Sequence, residues 1–187
     1  MSYRAQWYVD EDKKQYYFDE DGVLQNNGWF KISTTNASTG ITTDSWYYAE
    51  DDGAILANGI HEIDGKAYYF NANGLLRRDS WIVGKNGKQQ YVGKDGVMPR
   101  DAWFSVSGVL SNGEEYTNWY YANSSGYILK NGWFTIDGNE YYMNASGIMY
   151  TGWFTINDDD PYYCDETGTR LYGDVYKRQM RSRCRNW

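Results

Sequence analysis

Tryptophan and tyrosine are the residues of this chain whose type and spacing are best suited to chemistry. The 187 residues include 9 Trp and 20 Tyr, which recur at intervals along most of the sequence. An exposed aromatic ring stacks on the apolar face of a sugar, and it attracts a quaternary ammonium group by a cation–π contact worth about 0.5–2 kcal/mol. The same rings are also large enough to form a core between strands. The pattern therefore leaves ligand binding and a purely structural role as alternatives.

The aromatic residues that we predict to bind ligand occupy recurring strand positions. Some open the first strand of a repeated unit, and others lie in its second strand. The predicted ligand-binding residues are Trp29, Trp46, Tyr48, Trp81, Trp103, Trp119, Tyr121, Trp133, Tyr142 and Trp153.

The sequence offers little support for catalysis. His61 is the only histidine, no Ser–His–Asp set can be built around it, and Cys and His do not cluster as metal ligands. The acidic turns at 19–22 and 50–53 lack the spacing and the terminal glutamate of a calcium loop, so we interpret them as solvated turns. We therefore predict that the chain is not an enzyme and uses no cofactor and no metal.

A repeated β-hairpin positions the aromatic residues. In the stretch 131–150, two short β runs at 133–136 and 140–143 flank Asp137-Gly138, a dipeptide typical of a tight hairpin turn. Each copy ends in a glycine that follows the previous one by 21, 22, 30 or 31 residues. These closing glycines are Gly22, Gly53, Gly74, Gly96, Gly126, Gly147 and Gly168. A fixed period of this kind indicates a solenoid or array.

Two columns of the aligned repeats predict the core. Five residues before each closing glycine stands a tyrosine, and the residue after that tyrosine is apolar. The apolar column consists of Phe18, Ala49, Phe70, Val92, Ala122, Met143 and Cys164. Because Cys164 belongs to this column, we predict that it is a small buried hydrophobic residue.

We predict an all-β fold, a β-solenoid of stacked β-hairpins with about seven repeats of 20–31 residues. The predicted repeats span 3–26, 27–57, 58–78, 79–100, 101–130, 131–150 and 151–173. The first is a degenerate hairpin with strands near 6–9 and 15–18. The two longest carry polar insertions, which we interpret as extended hairpin loops. Residues 1–173 are thus expected to form one elongated array rather than two globular domains.

Charge and hydropathy argue against two classes of partner. The chain has a formal net charge of −7, and its repeats contain no basic stripe of the kind that binds nucleic acid. No apolar run approaches the ~20 residues that span a bilayer, so we predict no membrane span. The first residues do not form a signal peptide, and we interpret the sequence as a fragment of a longer protein.

The tail at 174–187 matches no column of the repeat. Residues 174–179 resemble the translation of a transposon-end adapter used in shotgun sequencing, so we predict that the tail is read-through rather than evolved protein. The tail carries five basic residues and one acidic residue, which leaves a formal charge of −11 on residues 1–173. The alternative is a basic arm that binds nucleic acid or an anionic surface.

The motif Gly-Trp-Phe-x-Ile-Asp-Gly-x-x-Tyr-Tyr-x-x-x-x-Gly stands at 132–147, and its variants run through residues 3–173. It resembles the cell-wall-binding repeats, which include choline-binding modules, glucan-binding modules of streptococcal glucansucrases and receptor-binding repeats of clostridial toxins. The resemblance implies a β-solenoid, a secreted or bacterial cell-surface location and a non-catalytic targeting role. The implied partner is cell-wall polysaccharide, either choline on teichoic acid or a glucan. The oligomeric state stays open.

For the choline-binding branch, the resemblance implies a cage of three aromatic residues. These are the first tryptophan of one hairpin, the aromatic that opens its second strand, and the first tryptophan of the next hairpin. Carried over by position, the complete set is Trp103, Trp119 and Trp133. The first long repeat supplies two tryptophans of such a set, but the next hairpin has Ile60 where its first tryptophan would stand. Choline and glucan therefore both stay open as ligands.

Two other roles are compatible with the sequence. The chain could be a structural stalk or adhesin spacer whose aromatic residues serve only as core. It could also be the targeting tail of a cell-wall hydrolase or glucosyltransferase whose catalytic domain is missing from this sequence.

Overall fold

The computed structural model describes residues 5–156 and 161–172, and all of their regular secondary structure is β-strand. This confirms the predicted all-β class. The chain divides into two compact units, residues 1–99 and 100–187, which we describe separately. Within the described residues there is no helix with the length and hydrophobicity to cross a membrane. The tail predicted at 174–187 lies outside the described residues.

The first unit contains antiparallel hairpins and one short additional strand. Its strands are β1 (Gln6–Val9), β2 (Gln15–Phe18), β3 (Gly28–Thr35), β4 (Thr42–Ala49), β5 (Gly59–Ile63), β6 (Lys66–Phe70), β7 (Ser80–Val83), β8 (Gln89–Val92) and β9 (Val97–Met98). The hairpins are β1–β2, β3–β4, β5–β6 and β7–β8, and β9 pairs with β6. The strands of the first hairpin lie where the sequence predicts them.

The second unit is also built of antiparallel hairpins. Its strands are β10 (Ala102–Val109), β11 (Glu115–Ala122), β12 (Gly132–Ile136), β13 (Asn139–Met143), β14 (Gly152–Phe154) and β15 (Tyr162–Cys164). In the described residues they pair as β10–β11, β12–β13 and β14–β15. The hairpin β12–β13 confirms the predicted strands, each of which is one residue longer than expected.

The turn between β12 and β13 follows from its two residues. Asp137 and Gly138 have φ angles of 49° and 80°, so both occupy the left-handed region that a two-residue hairpin turn requires. Glycine adopts this region without steric cost, and aspartate tolerates it. The turn sets the register in which Trp133 lies opposite Tyr142.

The two long hairpins differ from the sequence prediction. The sequence predicts extended polar loops, but most of the inserted residues lengthen the strands, so that β3–β4 and β10–β11 each have eight paired positions. Cross-strand hydroxyl contacts explain the difference: the side-chain oxygens of Thr35 and Thr42 lie 2.8 Å apart, and those of Ser107 and Thr117 lie 2.7 Å apart. The prediction of long loops was therefore wrong.

In several repeats a short segment after the closing glycine ties the hairpin to the hairpin before it. We call the second residue after a closing glycine the bridge residue. In the second unit, Met149 forms a β-bridge with Met143 of its own hairpin, and its N–H donates to the carbonyl oxygen of Trp119 in the preceding hairpin at 2.9 Å. In the first unit, the N–H of Leu76 donates to the carbonyl oxygen of Trp46 at 2.9 Å. The sequence prediction missed these segments because one or two residues do not show a strand period.

The predicted apolar column forms the core of the hairpins. Its fully buried members are Ala49, Phe70, Val92, Ala122, Met143 and Cys164. Bridge residues add to this core, because Leu76 packs with Phe70 and Ile63 in one cluster and Met98 packs with Val92 in another. The core is thus a series of small clusters between strands.

Several closing glycines approach the segment that follows the preceding hairpin too closely for a side chain. A Cβ atom on Gly147 would lie 2.7 Å from Cγ2 of Ile128 and 3.2 Å from the carbonyl oxygen of Leu129. Because inserting a methyl group into a packed site costs about 1–3 kcal/mol, we expect Gly147→Ala to lower the free energy of unfolding by that much more than a glycine-to-alanine change in open space. Equilibrium unfolding in urea measures the difference.

Gly138→Ala is the matched control for this prediction. Gly138 has nearly the same φ angle as Gly147, 80° against 84°, but no atom lies within 4 Å of an added Cβ. Both variants carry the same backbone strain, so the difference between them isolates the contact with the preceding hairpin. Equal losses of stability in the two variants would contradict the close approach.

Cys164 is a free and fully buried thiol, as the sequence predicts. Burial raises its pKa to about 11. Since the thiolate is the reactive form, we expect Cys164 to react with Ellman's reagent at pH 8 only when urea unfolds the chain. The measurement is made in a Cys184→Ser variant, so that a single thiol is counted. Rapid labelling of the native chain would contradict the prediction.

Candidate functional site

Neighbouring hairpins bring four side chains together in the second unit. Two come from β10–β11, namely the tryptophan near the start of β10 and a tryptophan of β11. The third is a tyrosine of β13, and the fourth is the bridge residue that follows β13. The residues that line this site are Trp103, Trp119, Tyr141, Met149, Glu166 and Thr167, around a cavity of about 390 Å³. We call it the unit 2 cage.

The first unit contains a site of the same construction. Its aromatic residues come from β3, β4 and β6, and its bridge residue is Leu76. The lining residues are Trp29, Trp46, Tyr68, Leu76, Arg78 and Asp95, around a cavity of about 270 Å³. We call it the unit 1 cage. The repeated hairpin thus generates the same arrangement in both units.

The rings of each cage meet at a steep angle. The ring centroids of Trp103 and Tyr141 lie 4.7 Å apart with an interplanar angle of 64°, and those of Trp29 and Tyr68 lie 4.9 Å apart, also at 64°. Trp119 is 45% exposed and Trp29 is 37% exposed, so ring surface in each cage is accessible to a ligand. Rings set at an angle allow one small cation to contact more than one aromatic face.

A carboxylate lines each cage. Asp95 is part of the unit 1 cage and Glu166 is part of the unit 2 cage. Asp95 Oδ1 accepts the backbone N–H of Val97 at 3.0 Å, which orients its side chain. The guanidinium of Arg78 in the unit 1 cage donates to the carbonyl oxygen of Asp44 at 3.3 Å. Aromatic faces beside a carboxylate favour a cation that needs no hydrogen-bond acceptor.

The structure brings together four of the predicted ligand-binding residues in pairs, Trp103 with Trp119 and Trp29 with Trp46. Trp133 does not take the expected third place in the unit 2 cage, because the following hairpin contributes its second strand there and supplies Tyr141. For the same reason the unit 1 cage is completed by Tyr68 and does not meet Ile60.

The other predicted residues lie elsewhere in their hairpins. Trp81 and Trp153 contact tyrosines of their own hairpins, with centroid distances of 5.0 Å and 4.9 Å. Tyr48, Tyr121 and Tyr142 lie opposite the tryptophans of β3, β10 and β12, with centroid distances of 5.2–5.3 Å. They flank these tryptophans and do not line either cage.

Tyr121 also has a polar partner. Its hydroxyl donates to Asp101 at 2.7 Å, and this bond, together with burial, raises the pKa of Tyr121 to about 12. Tyr91 makes the corresponding bond to Asp79 at 2.5 Å, and burial followed by this bond raises its pKa to about 12. These tyrosines anchor the residue that precedes each first strand.

Sequence reasoning missed the tyrosines and bridge residues of the cages. The missed residues are Tyr68, Tyr141, Leu76 and Met149. The sequence does contain a signal for the two tyrosines, because Tyr68 and Tyr141 are the first members of Tyr-Tyr pairs. The column of tyrosines before the closing glycines contains only the second member of each pair. Because successive strand residues face opposite sides of a sheet, the first member faces the other side.

A wider and more polar cavity of about 570 Å³ lies beside the acidic turn of the first unit. Its lining includes Asp52 and His61. Asp52 accepts the backbone N–H of Ala54 at 2.9 Å and the ammonium of Lys14 at 3.1 Å, and these bonds lower its pKa. His61 Nε2 lies 2.7 Å from the carbonyl oxygen of Ala57. In the parts of the chain that the structure describes, no group of three or more His, Cys, Asp or Glu could hold a metal ion.

Family models match repeats in both units. The choline-binding repeat matches residues 130–173, and the cell wall binding repeat matches residues 6–24, 42–55, 61–76 and 115–128. Together these matches span more than half of the chain. The chain belongs to the cell-wall-binding repeat family. The matched segments include Trp46, Tyr68, Trp119 and Tyr141, so the family pattern covers aromatic residues of both cages.

Streptococcal members of the cell-wall-binding repeat family resemble this chain. Glucosyltransferase-S of Streptococcus downei is 30% identical over 134 residues, which are 72% of this chain and 7% of that protein. Choline binding protein F from Streptococcus pneumoniae, a solved structure, is 28% identical with a TM-score of 0.52, and the match covers 89% of this chain and 58% of that one. The structure of CbpF in complex with ipratropium has 27% identity and a TM-score of 0.64, covering 88% and 53%.

The chain therefore spans about half the length of these solved relatives and a small part of the glucosyltransferase. Cell-wall-binding repeats occur in choline-binding proteins and in glucosyltransferases alike. Membership in the family confirms the resemblance seen in the sequence and makes the chain a surface-binding repeat module.

Proposed function

We propose that the chain is a non-catalytic module that anchors a larger protein at a bacterial cell surface by binding choline groups of cell-wall polymers. The observation that carries the proposal is the repeated cage, with three aromatic side chains and a carboxylate in each unit. A quaternary ammonium group donates no N–H hydrogen bond and is recognised through ring faces and negative charge. The match to the choline-binding repeat supports this choice of ligand.

Each cage is expected to bind weakly. Three rings at about 0.5–2 kcal/mol each supply a few kcal/mol, and a dissociation constant of about 1 mM corresponds to about −4.1 kcal/mol. A polymer that carries many choline groups would engage both cages, and linked binding events raise the overall affinity without new contacts. The module would therefore bind free choline weakly and a cell wall strongly.

We also propose the finer features of the fold and of the parent protein. The backbone ties between successive hairpins inside each unit support a β-solenoid as the way in which the repeats stack. The similarity to glucosyltransferase-S supports a role as the targeting part of a larger extracellular protein. A stalk whose rings serve only as core is less well supported, because Trp119 and Trp29 keep much of their surface exposed.

Glucan is the second candidate ligand, and one observation favours it. The relative from Streptococcus downei is a glucosyltransferase, and the exposed faces of Trp29 and Trp119 suit stacking on a sugar ring. Sugar stacking needs a flat face rather than a cage with a carboxylate. The cage geometry therefore favours choline over glucan.

Calorimetric titration of the full chain tests the proposal. We expect saturable binding of choline with two equivalents per chain and a change in tryptophan fluorescence. The control ligand is 3,3-dimethylbutan-1-ol, which has the shape of choline without its charge and is expected not to bind. Saturable binding of a soluble α-glucan with no response to choline would replace choline with glucan as the ligand. If a folded sample binds neither choline nor the α-glucan, the proposed binding function is overturned.

A further inference from the structure

A further junction of the same construction lies between β12–β13 and β14–β15. Trp133 and Tyr162 meet with a centroid distance of 5.3 Å and an interplanar angle of 59°, close to the geometry of Trp103 and Tyr141. The backbone tie is the same, because the N–H of Arg170 donates to the carbonyl oxygen of Glu140 at 2.8 Å. By register, Glu140 stands in the place of Trp119 and Arg170 in the place of Met149.

The guanidinium of Arg170 fills this junction. Its Cζ lies 4.4 Å from the ring centroid of Trp133, 4.9 Å from that of Tyr162 and 4.3 Å from that of Tyr172. All three distances are within the ~6 Å range of a cation–π contact. Nη1 of Arg170 also lies 3.2 Å from Oε2 of Glu140, so the cation has a carboxylate partner. The Arg170 side chain is 23% exposed, so most of its surface is buried.

The residue type at position 170 departs from its column. The bridge residues of the earlier repeats are all apolar: Leu24, Ile55, Leu76, Met98, Ile128 and Met149. Position 140 differs from the two cages, which carry tryptophan there, whereas other hairpins carry Gln15, Ala67 or Gln89. Compared with the two cages, this junction therefore has an ion pair in place of an apolar residue and an aromatic ring.

We propose that Arg170 is an internal ligand that occupies a third aromatic cage and closes it to quaternary ammonium groups. This inference rests on the proposed function, because it concerns the same kind of site. The guanidinium supplies to Trp133 and Tyr162 the positive charge that a bound choline would supply. A choline group can enter only if Arg170 leaves the rings and separates from Glu140. The identity of residue 170 therefore sets the number of ligands that the module binds.

Substitution of Arg170 tests the inference in the full chain. Arg170→Met places the residue of the unit 2 cage at this junction and leaves the rings of Trp133, Tyr162 and Tyr172 and the carboxylate of Glu140 in place. We expect calorimetry with choline to show three equivalents per chain in this variant and two in the wild type. Arg170→Lys is the matched control, because it keeps a cation beside Glu140 and the rings, and it is expected to stay at two. Binding of only two equivalents by a folded Arg170→Met chain would overturn the inference and would show that Arg170 does not occupy a choline site.

A reciprocal pair of variants decides the matter if Arg170→Met does not fold. Met149→Arg introduces a guanidinium into the unit 2 cage, and Val109→Arg places the same group on an exposed residue that lines neither cage. We expect Met149→Arg to lose one of two choline equivalents and Val109→Arg to keep both. Two equivalents in both variants would overturn the inference. A wild-type chain that binds no choline at all would instead overturn the proposed function, and the inference with it.

Discussion

A chain that carries both Trp46→Ala and Trp119→Ala is expected to show no saturable choline binding in the concentration range that saturates the wild type. Each substitution removes one ring from one cage. At about 0.5–2 kcal/mol per ring, the affinity of each site falls by about 2- to 30-fold. From a starting dissociation constant near 1 mM, the dissociation constant of each site rises to about 2–30 mM, so choline concentrations that saturate the wild type leave both sites of the double variant only partly filled. Each single variant should retain one equivalent.

The control for this experiment is Gln15→Ala. Gln15 holds the same register position in the first hairpin, because its carbonyl oxygen accepts the N–H of the bridge residue Ile55 at 2.8 Å, but it is not aromatic. The control should keep two equivalents. Full binding by the double variant would show that Trp46 and Trp119 do not contact the ligand. Circular dichroism of each variant verifies that the fold is kept.

Phe70→Ala is expected to cause the largest loss of stability among the substitutions considered for the first unit. Phe70 is fully buried, packs with Ile63 and Leu76, and stacks against Trp29 with a centroid distance of 5.9 Å. Truncation of a buried phenylalanine to alanine costs about 3–5 kcal/mol because a cavity remains. Urea-induced unfolding monitored by circular dichroism measures the loss.

Alanine is compatible with the backbone conformation at position 70. The equivalent residues of the two long hairpins are Ala49 and Ala122, which are also fully buried. A loss in Phe70→Ala therefore reports the cavity beside Ile63 and Trp29 rather than strand strain. Val109→Ala serves as the control, because Val109 is 65% exposed and its truncation should change the stability by less than about 0.5 kcal/mol. A loss below about 1 kcal/mol in Phe70→Ala would contradict the assigned core.

Local features of the hairpins could be predicted from the sequence. Asp137-Gly138 determines its own turn, and the apolar residue after each column tyrosine, such as Met143, is buried as the repeat indicates. These features depend on residues close together in the chain, so a repeated pattern is enough to reveal them. The all-β class and the family follow from the same pattern.

The third aromatic residue of each cage could not be predicted from the repeated pattern. Whether Tyr141 or Trp133 faces Trp103 depends on how one hairpin is shifted against the next. That shift is fixed by backbone bonds such as the one from Met149 to Trp119, which joins residues far apart in the sequence. The long strands were missed for a related reason, because polar Ser and Thr residues can form a loop or a strand, and pairing partners such as Thr35 and Thr42 decide between them.

The backbone tie through the bridge residue has a consequence for how such modules change during evolution. Because a cage takes two side chains from one repeat, two from the next and its carboxylate from the repeat after that, the heritable unit of recognition is a set of three successive repeats rather than a single one. In this chain each cage joins a long hairpin to the short hairpin that follows it. Duplicating a long repeat alone would add a hairpin without a new site, and exchanging one repeat by recombination would alter the junctions on both of its sides.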